Sequence, residues 1–265
     1  MTQTRQVALT LFALGMVGLG ILALVYGDFA LVWQPVAAWV PGRTGLAYAS
    51  GLIMLICGPG LLFKATAKWS VRILFPYLIL WTLLKVPALF VAPQIEGVWL
   101  GIGELLMLLA GGWTLFAVLA DLRQGSILAF AASVSGLRIA RIIFAVAVLP
   151  VGLSHFVYAK ETAGYLPAWL PFHIGWAYLT GAGHIAAGLG ILFRIFPRIA
   201  AMAEAAMLAI FTLLIWLPTI VAAPKTRLPW TAFFISWAIT AAAFVVAGYI
   251  PAKKLPAPRE REQTA

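Results

Sequence analysis

The sequence predicts an all-α membrane protein with eight transmembrane helices, arranged as two parallel four-helix repeats. Three observations predict it. The 265 residues are 63% hydrophobic and only 10% charged, with a mean hydropathy of +1.01, whereas a soluble domain carries about a quarter charged residues. So few charges cannot cover the apolar surface in water, and lipid is the expected solvent. Apolar stretches of spanning length recur along the chain between proline and glycine breaks. Finally, "GLAYASGLIMLICGPGLLF" (Gly45 to Phe63) returns in the same register as "GWAYLTGAGHIAAGLGILF" (Gly175 to Phe193).

The first span is placed at 7–27, behind "MTQTRQ". At about 20 residues it is long enough to cross, and its counterpart in the second half is internal, so it reads as a retained helix and not a cleaved signal peptide. The remaining spans fall at 45–63, 71–92, 98–120, 139–158, 174–193, 199–222 and 229–250. Pro41-Gly42, Pro93, Gly125, Pro167, Pro171, Pro197, Pro224 and Pro251 mark the breaks. Pro76, Pro87 and Pro218 lie inside spans and need not end them, because neighbouring helices can satisfy the freed carbonyls. The organisation expected is a first repeat over 1–121, an interfacial linker at 122–138, a second repeat over 139–250 and a proline-rich cytoplasmic tail at 251–265.

The match extends beyond the quoted stretch. "AAWVP" (Ala37 to Pro41) parallels "PAWLP" (Pro167 to Pro171), and "LLKVPALFVAP" (Leu83 to Pro93) parallels "LLIWLPTIVAAP" (Leu213 to Pro224), with Trp99 and Trp230 at the same offset beyond. Four spans is an even number, so both halves enter from one side, related by an axis along the membrane normal. Of the Lys and Arg residues, thirteen fall on one side and five on the other. That bias places both termini in the cytoplasm; the membrane expected is a bacterial inner membrane.

Composition also excludes functions. The net charge of +10 is the charge of loops against anionic lipid; no basic residues interleave with aromatics as nucleic-acid platforms do. Cys57 is the single cysteine, which rules out a dithiol centre within the chain. Three histidines without i, i+3 or i, i+4 spacing argue against a metal site. His155 and His184 are expected at different depths, which argues against haem. "GAGHIAAG" lies in a span and lacks the strand that dinucleotide binding needs. Short loops leave no room for a soluble catalytic domain.

"YGDFALVWQPVAAWVPGRTGLAYASGL" and "GLSHFVYAKETAGYLPAWLPFHIGWAYLTGAGHIAAGLGIL" resemble the DoxX-like membrane proteins. The family's unit is a four-helix membrane bundle whose second helix carries Gly, a polar residue, Ala-Gly or Gly-Gly, then Leu-Gly before a basic residue. Here Gly183, His184, Gly188, Gly190 and Arg194 follow that pattern; the first half keeps Gly58, Gly60 and Lys64 but has Met54 at the polar position. The family often has Glu where His184 stands. The resemblance implies a link to quinone-coupled redox or sulfur chemistry, with quinone as the cofactor and a partner subunit as electron source.

Ionisable groups inside a bilayer are costly, so each is a candidate. Lys85 and Glu104 are each expected roughly 10 Å below the outer surface, counting helical rise, and so within reach of an ion pair. The pair is either structural or part of a polar outward cavity; Lys85 snorkelling alone is the third reading. His184, mid-span, either bonds a neighbouring helix or transfers protons. Glu204 is expected to pair with Arg194 or Arg198. Asp28, His155 and Lys160 are expected together at the outer mouth, with Asp28 and His155 pseudo-symmetric across the halves. Three function classes stay open: a quinone-linked redox component, a small-solute transporter or channel, and a membrane scaffold without catalysis.

Overall fold

The computed structural model describes residues 2–123 and 125–250. The expected tail at 251–265 lies outside them. The described residues form helices and no strand. In chain order they are α1 (Gln3–Tyr26), α2 (Arg43–Gly60), α3 (Lys64–Lys85), α4 (Pro87–Val91), α5 (Glu96–Leu119), α6 (Val134–Val157), α7 (Ala159–Gly164), α8 (His173–Leu192), α9 (Pro197–Phe211), α10 (Leu217–Ala222) and α11 (Arg227–Tyr249). A π-helical turn, Thr212–Trp216, joins α9 to α10.

Among the described residues, six segments are long and apolar enough to cross a membrane: α1, Lys64–Val91, α5, α6, Pro197–Ala222 and α11. Residues 64–91 and 197–222 run across Pro87 and Pro218, so these prolines break the helix locally without ending the segment. α2 and α8 are not among the six. They are rich in glycine and carry Arg43 and His173 at their first positions. Exposure is inverted relative to a soluble protein: Val25, Ile56, Leu83, Leu179 and Val221 all face outward. α6 starts five residues ahead of the expected 139, because Ser133 accepts the N–H groups of Ser135 and Gly136 as its N-cap.

Consecutive long helices pack as neighbours: α1 on α2, α2 on α3, α3 on α5, α5 on α6, α6 on α8, α8 on α9 and α9 on α11. α11 returns to α1, and α5 and α11 meet each other, which makes these two the most buried of the later helices. Glycines allow the tightest crossings. A Cβ on Gly51 would lie 3.1 Å from the Gly20 carbonyl oxygen, and one on Gly181 would lie 2.9 Å from that of Gly152. Further along the same crossings, a Cβ on Gly58 would lie 2.9 Å from the Ala13 carbonyl oxygen and one on Gly188 2.8 Å from that of Ala145. Lipid supplies no hydrophobic force between helices, so this close backbone approach is the source of packing energy. α2 buries Ala47, Gly51, Met54 and Gly58; α8 buries Ala177, Gly181, His184 and Gly188 at the same spacing.

Candidate functional site

The most deeply buried ionisable pair joins α8 to α9. His184 Nδ1 lies 2.8 Å from Oε1 and 3.0 Å from Oε2 of Glu204, and the two side chains are 2% and 0% exposed. α9 turns Glu204 inward on the face that carries Ala201 and Ala205, whose small side chains let α8 approach. The expected partners Arg194 and Arg198 do not pair with Glu204; both are exposed. Of the two readings of His184, the interhelical bond is present, and proton transfer needs that same bond to hold the ring.

His155 packs against this pair. Its ring centroid lies 4.9 Å from that of His184 with the planes tilted by 46°, and Phe211 meets it edge-on at 5.6 Å. The expectation of different depths is therefore corrected. His155 lies beside the Gly152–Gly181 crossing, where a Cβ on Gly181 would come 2.8 Å from its own Cβ, two residues before the end of α6. The Nδ1 of His155 lies 2.9 Å from the Val151 carbonyl oxygen and donates to it, while Nδ1 of His184 is taken by Glu204. No hydrogen bond among the described residues uses Nε2 of either ring. Each imidazole thus has one nitrogen anchored and one available to a proton or a ligand. Sequence spacing carries no signal for this trio, because its members come from three helices.

Asp28 occupies a different place from the one expected. It follows Gly27, the left-handed residue that ends α1, and its carboxylate accepts from Arg43, at the start of α2, and from Arg227, at the start of α11, the latter at 2.9 Å. Arg227 also donates to the Phe29 carbonyl at 2.6 Å and lies over the Tyr26 ring. Asp28 is therefore a tie between the first and last helices, and the pseudo-symmetric pairing with His155 does not form. Burial raises the Asp28 pKa, but hydrogen bonds from Arg227, the Phe29 N–H and Arg43 outweigh it and hold the carboxyl below its usual range. Lys160 is exposed on α7 and joins neither Asp28 nor His155 in an ion pair.

Lys85 and Glu104 do not form an ion pair within 4.0 Å; the pairs among the described residues are Arg43–Asp28, Arg227–Asp28 and His184–Glu204. The Lys85 ammonium instead donates to the Val32 carbonyl in the segment after α1. It passes over Gly101, where a Cβ would come within 2.6 Å of Nζ. That carbonyl belongs to a left-handed residue outside any helix, so it is free to accept.

A second polar cluster has no signature in the sequence. Gln34 Nε2 donates to Ser50 Oγ and Tyr77 Oη, both at 2.8 Å, and those two hydroxyls are 2.8 Å apart. All three side chains are buried, and the Ala30 N–H donates to Gln34 Oε1 at 2.9 Å. The triangle ties the segment after α1 to α2 and α3. It is fully hydrogen-bonded within itself, which suits a structural role.

No protein-family model, no curated protein and no solved structure matches this chain.

Proposed function

We propose that the chain is a multi-pass membrane protein of DoxX-like type, an eight-span bundle duplicated from a four-helix unit, and that it works as a quinone-linked redox component with a partner subunit. Supporting the duplication, α1–α2 and α6–α8 cross through paired glycines, and α2–α3–α5 and α8–α9–α11 follow the same order of neighbours. Trp99 and Trp230 each donate to a proline carbonyl six residues earlier, at 2.9 and 2.8 Å. α2 and α8 then count as spans because each lies between spanning neighbours and both ends of the chain carry the cytoplasmic charge.

The single observation behind the redox reading is the buried trio His155, His184 and Glu204. A quinone accepts two electrons and two protons at its two oxygens. With Nδ1 holding the ring proton, each free Nε2 would first take up a proton and then pass it to a quinone oxygen, and Glu204 compensates the positive charge this places on His184 while fixing its ring. Electrons must come from the partner subunit. The test is quinone retention. Full-length protein purified from membranes is extracted for quinone, and tryptophan quenching is titrated with a short-chain ubiquinone analogue. The reading requires bound quinone that is lost in His184→Asn and weakened in His155→Phe. Absence of quinone from wild-type protein, with no quenching, overturns it.

A specific observation favours the small-solute transporter as the second reading. The π turn at 212–216 lies directly after Phe211, which packs on His155. Broken helices and π turns beside polar groups are common at substrate sites. Solute or proton flux in vesicles, dependent on His155, selects that reading. Neither quinone nor flux, with a stably co-purifying protein, leaves the scaffold.

A further inference from the structure

A pocket of about 260 Å³ opens at the end of the bundle where α6 begins and α8 and α11 finish. Arg138, Arg141 and Arg194 line it together with Tyr249, and Val246 and Ile250 form part of its apolar wall. None of the three arginines has a carboxylate within 4.0 Å among the described residues. Three like charges repel unless something neutralises them. Two polar atoms in this wall, Arg141 Nε and Tyr249 Oη, are shut off from solvent and have no hydrogen-bond partner among the described residues. Such groups are rare in folded proteins and cost free energy. Arg141 Nε can only donate and the Tyr249 hydroxyl can donate as well, so an acceptor would satisfy both. A fourth cation is close by, because the Arg5 guanidinium lies 4.3 Å over the Tyr249 ring. Arg194 is held in place by its backbone: it adopts φ 62 at the end of α8, and the next residue, Ile195, donates its N–H to Gly190 at 2.9 Å.

We propose that this pocket binds a phosphate group, and that the group is the headgroup phosphate of an anionic phospholipid. Guanidinium forks match phosphate oxygens, which are acceptors only. The apolar wall argues for lipid over a soluble ester: acyl carbons would lie along Val246 and Ile250 while the phosphate meets the arginines. The pocket's position at helix ends is headgroup depth, and basic pockets between helices on the cytoplasmic side suit anionic lipid. Thr114 of α5 also lines the pocket, so it touches the first half as well as the second. A bound lipid would therefore join them.

The test uses the full chain in nanodiscs of phosphatidylcholine with and without phosphatidylglycerol. Native mass spectrometry reads the lipid retained, and thermal unfolding reads stabilisation. Wild-type protein should retain phosphatidylglycerol in preference to phosphatidylcholine. Arg141→Gln should weaken that retention about tenfold, the loss of one charge-assisted contact, and Tyr249→Phe should weaken it less. Lys64→Gln, an exposed charge at the same end of the bundle, should leave it unchanged. Inorganic phosphate added to phosphatidylcholine discs should not raise the melting temperature. Equal retention by wild type, Arg141→Gln and Lys64→Gln reduces the effect to general charge attraction and overturns the site. Stabilisation by inorganic phosphate that depends on Arg141, without lipid preference, moves the site to a soluble anion and overturns the lipid assignment. Should Arg141→Gln fold poorly, Arg141→Lys and Tyr249→Phe carry the comparison, and retention unchanged in both overturns the proposal.

Discussion

His184 Nδ1 and Glu204 Oε1 lie 2.8 Å apart inside a bundle where neither side chain meets solvent. Neither group would be stable there alone. An unpaired charge in an apolar interior costs several kcal/mol, and breaking one member of a buried pair costs about 3–5 kcal/mol. The residues at the matching positions of the first half are Met54 and Leu74, both buried and apolar. At the 130-residue offset of the sequence match, α2 and α3 thus carry apolar side chains where α8 and α9 carry ionisable ones.

That comparison yields a double-mutant prediction. His184→Met and Glu204→Leu singly should each destabilise the protein by about 3 kcal/mol. The double variant, which copies the first half, should recover most of that loss. Thermal unfolding in detergent measures all three. Additive losses in the double variant would show that the two residues do not act as a pair.

Asp28 carries a pH dependence whose sign follows from its arginine partners. Its folded pKa lies below the usual carboxylate value, so the stability it contributes is complete above the unfolded pKa and disappears as pH falls through the folded one. The part of the melting temperature that depends on Asp28, read as the difference between wild type and Asp28→Asn, should be flat from neutral pH to about pH 5 and shrink below it, the range in which carboxylates protonate. Asp28→Asn should remove this component and lose about 1 kcal/mol at neutral pH, since the group is partly solvated. An unchanged acid limb in the variant would assign the dependence to another carboxylate.

The glycine crossings should rank by space. A Cβ at Gly181 would meet Phe156 at 2.7 Å and His155 at 2.8 Å, while one at Gly51 would meet Ala23 at 2.9 Å. Gly181→Ala should destabilise by about 1–3 kcal/mol, with Gly51→Ala at the lower end. Gly45→Ala meets nothing within 4 Å, and should be neutral or stabilise by up to about 1 kcal/mol through helix propensity. Equal melting temperatures across the three variants would argue against close backbone approach at these crossings.

Topology is open to a labelling experiment. In a Cys57→Ala background, cysteines at Ala65 and Arg198 should react with an impermeant maleimide from the cytoplasmic side only. Cysteines at Gln94 and Lys225 should react only from the other. Residues 65 and 198 labelling from opposite faces would undo the parallel duplication.

The helices themselves were legible along the chain. The span at 98–120 became α5 at 96–119, and the helix expected at 174–193 is present as α8 at 173–192, outside the six spanning segments. Apolar runs and proline breaks are local properties, and a helix satisfies its own backbone in lipid without help from distant residues. The paired glycines of α2 and α8 were visible for the same reason. Ion pairing was not legible. Depth counted along isolated helices placed Lys85 beside Glu104 and His155 beside Asp28, but depth alone does not say which way a side chain faces.

Composition and periodicity by themselves determined a lipid-compatible, all-helical chain and the residues that are costly to bury. The tertiary structure alone decided who meets whom: Lys85 with the Val32 carbonyl, Asp28 with Arg227 across 199 positions, His184 with Glu204 and His155. The physical reason is that a helix is held by contacts four residues apart, whereas a buried charge is satisfied only by whatever the rotation and crossing of neighbouring helices bring within about 3 Å.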